Sequence, residues 1–433
     1  MSSEPPPSAA PTGGGFRGIA SGIPQGIAAL LLANFFQTFA FVGLATFVGD
    51  KVYDITRNEL DLAWIGLALF VPVFLFSPVA GAMSDRFDRR RVYALGVACQ
   101  TAVTAGIFFF VRSNPTTVGP IFGLMFLFGF VRAFTSPSSR ALPIDLSPDN
   151  IVERVIALKA ASFQAGLILG PVVASFAAAR SDELPYVVSM IAMTTTLTLL
   201  VVVVPSSGTE QLATPTGITQ VFRDAAEGAR YMRRNPVLFG AISLDLFAVL
   251  LGGAVALLPV IARDRLGVAE IGLGGLRAAD GIGAAATSVL LAIRPVKHQL
   301  GRVLLGTVAI FGVFTIVLGL TRTYAVAFLA ILTMGAADAV SVYIRSVIVP
   351  LATPEVMRGR ILAVENVFIG GSNELGAVES GVASRFLGVV GAIVTGGIGT
   401  LAVVAIWWKA FPALRDIDTL DDVRAVGLTP ADA

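Results

Sequence analysis

Eight ionisable side chains stand inside long apolar runs, and they are where this sequence could do chemistry: Arg132, Asp245, Arg277, Asp280, Asp338, Glu365, Glu374 and Glu379. A charge at the centre of a hydrocarbon layer costs at least about 2.5–3.5 kcal/mol, so each must face protein or a wet cavity. A carboxyl placed there is suited to taking up and releasing a proton. Asp245, Asp338 and Glu365 are the expected proton carriers, with Arg132, Glu374 and Glu379 as further candidates for coupling to protons or substrate. Arg277 and Asp280, three apart on a helix, are expected to pair with each other. Glu365, Ser372 and Glu379 recur every seven residues, as do Asn366, Asn373 and Ser380, which puts all six on one helical stripe, with Glu374 on another face.

Other chemistries lack their residues. A single His (His298, in a basic loop) and a single Cys (Cys99, in an apolar run) supply neither a metal cluster nor a disulfide framework nor a Ser/His/Asp arrangement. His298 is expected to be a solvated loop residue and Cys99 a buried small hydrophobe. The chain has no GxxxxGK[ST] run for ATP, and no cofactor is expected. A net charge of +2 is too balanced to suggest nucleic-acid binding.

The elements that must position these charges are membrane helices. The 433 residues are 55% hydrophobic and 14% charged, with mean hydropathy +0.80, whereas soluble domains carry about 25% charged residues. One crossing takes about 20 apolar residues. Twelve apolar runs fall at 27–49, 61–82, 91–112, 117–137, 154–178, 185–204, 236–260, 271–293, 301–320, 323–347, 360–386 and 388–410. The chain therefore reads as all-α, with a flexible tail (1–26), a six-helix bundle (27–204), a linker (205–235), a second six-helix bundle (236–412) and a second tail (413–433). The linker half from Ile218 to Met232 has helical periodicity, with Val221, Phe222, Ala225, Ala229 and Met232 on one side. With the N-terminus inside, 21 of the 31 basic residues, Arg345 among them, fall on the inner side; the positive-inside rule then predicts cytoplasmic termini in a cell-membrane protein.

The halves echo each other. SPDNIVERVIALKA, leading into the fifth run, aligns at an offset of 206 with TPEVMRGRILAVEN, leading into the eleventh: Pro148 with Pro354, Arg154 with Arg360. Repeated six-helix halves are how many secondary transporters build a central site with alternating access.

The loop after the second run reads GAMSDRFDRRR over 81–91 and resembles the G-x-x-x-D-R-x-G-R-R motif of the major facilitator superfamily, matched by Gly81, Asp85, Arg86, Arg89 and Arg90. Asp88 stands where that pattern has Gly. The resemblance implies twelve helices in two pseudo-symmetric bundles and a latch in which Asp85 meets the start of the eleventh helix, near 358–360. The fifth run carries GLILGPVVAS (166–175), similar to the antiporter motif G-x-x-x-G-P-x-x-G-G of the superfamily's drug–proton exchangers; Gly166, Gly170 and Pro171 match, while Ala174 and Ser175 replace glycines. A close helix seam explains this run equally well. Residues 129–148 and 358–381 resemble the branch that contains the enterobactin exporter.

What the resemblance implies is a monomeric carrier embedded in the lipid bilayer that exports a small amphipathic or siderophore-like molecule in exchange for protons, with Phe35, Phe36 and Gln37 lining its cavity. An uptake symporter or facilitator of the same fold is the alternative. A membrane-embedded enzyme would need intramembrane His, Cys or paired-Asp motifs that the sequence does not carry.

Overall fold

The computed structural model describes residues 23–148, 151–205 and 218–428. Among them all regular structure is helical. A chain this apolar leaves its backbone no partner in lipid other than itself, and the α-helix satisfies every interior N–H and C=O locally.

The first half comprises α1 (Gln25–Thr56), α2 (Glu59–Arg86), α3 (Arg89–Arg112), α4 (Gly119–Asp145), α5 (Val152–Ala178) and α6 (Leu184–Thr198), the last running on through a π-turn to Val203. After the linker helix α7 (Ile218–Arg234) come α8 (Pro236–Leu251), α9 (Glu270–Ile293), α10 (Leu300–Leu320) and α11 (Tyr324–Leu351). The 56-residue stretch Glu355–Ala410 is broken at Gly388, whose φ of 71° only glycine adopts readily; it is two helices, α12 (355–387) and α13 (389–410). Among the described residues eleven helical stretches are long and apolar enough to cross a membrane, and the last spans that break, so it holds two helices.

Local signals set the ends. Asn235 caps α8 by accepting from the backbone N–H groups of Val237 and Leu238, with Pro236 in the first turn. Several helices outrun the apolar patterning, α1 among them, which continues from 49 to Thr56. α4 continues past 137 because Pro137 and Pro143 are absorbed within it, and α12 begins at Glu355, ahead of the apolar run. The seventh crossing breaks at Gly252 and Gly253, then continues in short turns to Arg265.

Each half has its own core, built around Leu44, Phe128 and Tyr186 in the first, and around Leu238, Leu304 and Ile348 together with Leu257, Leu276 and Ile331 in the second. The outer surface is apolar where lipid would lie, with Leu95, Phe109, Ile191, Leu290 and Phe386 exposed. Cys99, expected to be buried, belongs to this outward surface. The halves join along two pairs, α2 with α12 and α5 with α9. In α7, Met232 is buried in the second half's core, while Val221, Phe222 and Ala225 lie outside the described side chains. Residues expected as a tail form α14 (Pro412–Arg415) and α15 (Leu420–Leu428), which bury Leu414, Ile417 and Val423 against the second half. His298 is exposed and sits 3.4 Å from Asp418.

Candidate functional site

The second half encloses a cluster of charge. Asp245 on α8 and Arg345 on α11 form an ion pair at 2.8 Å, with side chains only 8% and 5% exposed. Two turns before Arg345, Asp338 lies on the same helix. Asp245, Asp338, Thr307 and Ser341 line a small cavity between α8, α10 and α11, with room for about one water. Glu365, buried on α12, is within electrostatic reach of both Arg345 and Asp245. The three carboxyls expected as proton carriers are thus brought together around one guanidinium. The guanidinium itself was missed. Arg345 lies six residues from the end of α11, about 9 Å inside at 1.5 Å per residue, and belongs to the buried cluster instead of the membrane edge. The signal that could have placed it is the apolar sequence on both sides, VSVYIRSVIVPL.

The remaining charges sit elsewhere. No ion pair joins Arg277 to Asp280 among the described residues; they act on each other through space, and Arg277 Nε is buried without a hydrogen-bond partner. The spacing puts the two within reach of each other, but the expected closed ion pair does not form. Arg132 lies over the ring of Phe41, 4.0 Å from its centroid, in the first half. Glu379 is half-buried and accepts from the hydroxyl of Ser380; the Glu374 side chain lies outside the described residues. The six-residue stripe divides: Glu365, Ser372 and Ser380 are buried while Asn373 is exposed, because the stripe is wider than the face the neighbouring helices cover.

Gly166 and Gly170 lie in the seam between α5 and α1, while the carbonyl of Pro171 faces Gly274 of α9. A methyl group at Gly166 would come within 2.8 Å of the Phe35 carbonyl oxygen, and one at Gly170 within 2.5 Å of that of Phe39. These glycines let two backbones touch. The opposite side of α5 meets the other half, where Gln164 donates to the carbonyl of Gly281 at 2.8 Å. Gln37, expected to line a cavity, donates to Gln100 at 2.6 Å and so ties α1 to α3. Its Nε2 is thus engaged within the bundle while its Oε1 is buried without a hydrogen-bond partner, and Phe36 packs on the first half's core.

In the loop between α2 and α3, Asp88 caps α3 by accepting from the Arg90 N–H, at φ −55°, so a glycine is not required there. Arg89 pairs with Asp145 at 2.6 Å, and Arg90 donates to the carbonyls of Leu200, at 2.7 Å, and Val201. The surroundings of Gly81 and the side chains of Asp85 and Arg86 lie outside what the structure describes. At the start of α12, Arg360 pairs with Glu227 of the linker helix at 2.8 Å.

On the face opposite the linker, Arg263 at the end of the seventh crossing bridges Asp50 and Asp54 of α1, each at 2.6 Å. Tyr53 donates to Asp264, which also pairs with Arg57 at 3.8 Å. These bonds close that face across the two halves.

The model of the Major Facilitator Superfamily matches residues 30–377. The chain belongs to the major facilitator superfamily. It is 21% identical over 370 residues to YfiS of Bacillus subtilis (strain 168), an MFS-type transporter, covering 83% of this chain and 85% of that one. The fold is similar to the human organic anion transporter MFSD10 (TM-score 0.63, 17% identity, 88% of this chain and 99% of that one) and to a D-xylose-proton symporter (TM-score 0.69, 16% identity, 88% and 96%). This MFS protein is therefore a multi-pass secondary transporter of a small molecule, not an enzyme.

Proposed function

We propose that this MFS transporter exports a small amphipathic molecule, drug-like or siderophore-like, in exchange for protons, by alternating access, from a cell membrane in which both termini are cytoplasmic. The observation that carries the proton coupling is the buried cluster of Asp245, Asp338 and Glu365 around Arg345. Buried carboxyls around a single cation cannot all be ionised, so the cluster must hold protons. Export is favoured over uptake by the antiporter-like run at Gly166, Gly170 and Pro171 and by the likeness of 129–148 and 358–381 to the enterobactin-exporter branch. With Arg345 withdrawn to the cluster, twenty of the thirty-one basic residues still fall on the linker side, which supports the cytoplasmic assignment. Gly81, Asp85, Arg86, Arg89 and Arg90 would form the latch on that side, with Arg89 and Arg90 fixing the loop to α4 and α6. Substrate would pass between the halves, with Arg132 on one side of the path and Glu374 and Glu379 on the other.

A toxic-compound screen in an efflux-deficient host, followed by everted vesicles, tests this. Energised vesicles should accumulate the substrate, a protonophore should abolish accumulation, and Asp338→Asn should reduce it at least tenfold. Uptake into whole cells without accumulation in everted vesicles would make the protein an importer.

A further inference from the structure

The segment that follows α13 is tied down by bonds to another helix, and the helices it meets point to its task. α10 begins at Leu300 without a local cap: Gln299 precedes it in the left-handed region, at φ 56°, and its side chain makes no capping bond. The first N–H groups of a helix have no partners within it, and here they are met from 119 residues away. Asp418 Oδ1 accepts from the Gln299 N–H at 2.7 Å, and the carbonyls of Asp418 and Ile417 accept from Leu300 at 3.3 Å and from Gly301 at 3.0 Å. Asp422 accepts in turn from the N–H groups of Asp418, at 3.1 Å, and Thr419, at 2.8 Å, which fixes the turn before α15. Glycine permits the approach, since a methyl group at Gly301 would collide with the Leu414 carbonyl. α14 packs on α8 and α10, and α15 on α11. These three helices line the small cavity of Asp245, Asp338 and Thr307. Thr307 lies seven residues after the start of α10, about 10 Å inside, and Asp245 nine after the start of α8, about 14 Å inside, at 1.5 Å per residue. Between the cavity and the linker side stand Leu238, Leu304 and Ile348, and Leu414, Ile417 and Val423 complete the same buried apolar cluster.

We infer that residues 412–428 are a seal on the linker-side mouth of this helix triad, so that protons reach or leave Asp245 and Asp338 only by the path that opens as the halves rock. This rests on the proton-coupled reading above. A coupled carrier must keep its proton sites from equilibrating with one side through the bundle itself; otherwise the gradient runs down without moving substrate. Close-packed apolar side chains leave no room for the file of waters that a proton would follow. Asp418 acts as a positioning residue. Its carboxylate sits at the positive end of α10 and pins the segment that carries Leu414, Ile417 and Val423.

The test needs no substrate. The full-length protein is reconstituted into liposomes with a pH-sensitive dye inside, the membrane potential is clamped with potassium and valinomycin, and the decay of an imposed pH step is followed. Wild type should hold the step as long as protein-free liposomes do. The double variant Leu414→Ser, Ile417→Ser should dissipate it at least fivefold faster. Adding Asp338→Asn should return the rate to that of wild type, because the leak runs through the cavity; a leak from a merely loosened protein would ignore that change. Asp418→Ala, which unpins the segment and leaves its apolar side chains in place, should leak at least twofold faster than wild type. A tight double variant overturns the inference, as does a leak indifferent to Asp338→Asn. Should the double variant fail to elute as a monodisperse species, Asp418→Ala with and without Asp338→Asn decides by the same two criteria. Protonophore-insensitive accumulation in everted vesicles would defeat the proton-coupled reading, whereas a tight double variant beside protonophore-sensitive accumulation would defeat the seal alone.

Discussion

At the scale of single residues, a buried charge is legible in the sequence but its partner is not. Asp245, Asp338 and Glu365 stand out because acids in apolar runs are costly; Arg345 did not, because a basic residue near the end of a run looks like a membrane-edge anchor. Lys159 shows the same difficulty. It sits on α5, and its ammonium donates to the carbonyls of Ser139 at 3.0 Å and Arg140 at 3.3 Å, on α4. Four residues after Ser139 comes Pro143, which has no N–H to offer that carbonyl. The lysine supplies the missing donor from a neighbouring helix. Removing it should therefore hurt only while the proline is present. Lys159→Met should lower stability by about 1.5 kcal/mol, typical of a hydrogen bond to a charged group, and in a Pro143→Ala background, where the backbone N–H is restored, the loss should fall by at least half. A double-mutant cycle on thermal unfolding of the purified protein measures this; equal losses in both backgrounds would separate Lys159 from the proline.

At the scale of helices, the crossings were readable because each is a run of about twenty apolar residues between charges or turn-formers. Their ends were less so. Proline read as a terminator at 137, yet a membrane helix can absorb it when neighbours supply donors, and Gly252 and Gly253 broke the seventh crossing inside what looked like one run. The glycines of the fifth run were legible as a pattern whose two readings, exchange and packing, the sequence could not separate. Their packing role is plain in the structure, and the repeat extends it. Gly376 lies 206 residues after Gly170, the offset that relates the halves, and a methyl there would come within 2.7 Å of the Val249 carbonyl oxygen on α8. The same close contact thus serves α5 against α1 and α12 against α8. Gly170→Ala and Gly376→Ala should each destabilise the protein by about 1–3 kcal/mol, since backbone must move to admit the methyl. Gly119→Ala, which meets open space, should leave the melting temperature unchanged. Thermal unfolding followed by intrinsic fluorescence compares the three, and a Gly170→Ala protein as stable as Gly119→Ala would show that the seam is loose.

At the scale of the whole molecule, two halves must rock about their shared seams, and the structure closes the face opposite the linker. The register of the seams agrees: Gly381 of α12 lies against Ala63, near the start of α2, and Gly281 of α9 against Ile168, midway along α5. Arg263 carries two of the bonds that cross between halves at the closed face, beside those of Asp264, and cutting it removes two charge-assisted contacts at once, to Asp50 and Asp54. Little of this was legible in advance, since Asp50 and Asp54 end one apolar run and Arg263 ends another more than two hundred residues away, and only the folded pairing brings them together. If these contacts hold that face shut, Arg263→Ala should shift the equilibrium toward the opposite opening by about 1–3 kcal/mol, the coupling typical of such two-state switches. Spin labels at Asn114→Cys and Arg322→Cys, both exposed on that face in different halves, in a Cys99→Ala background, report the separation by electron–electron resonance. The wild type should give mainly the short distance and Arg263→Ala a majority of a longer one. Arg263→Lys, which keeps the charge but can no longer fork to both aspartates, should fall between them. Identical distance distributions in all three proteins would mean that the face is held closed without help from the Arg263 ion pairs, by the α2–α12 and α5–α9 seams and the contacts of Asp264.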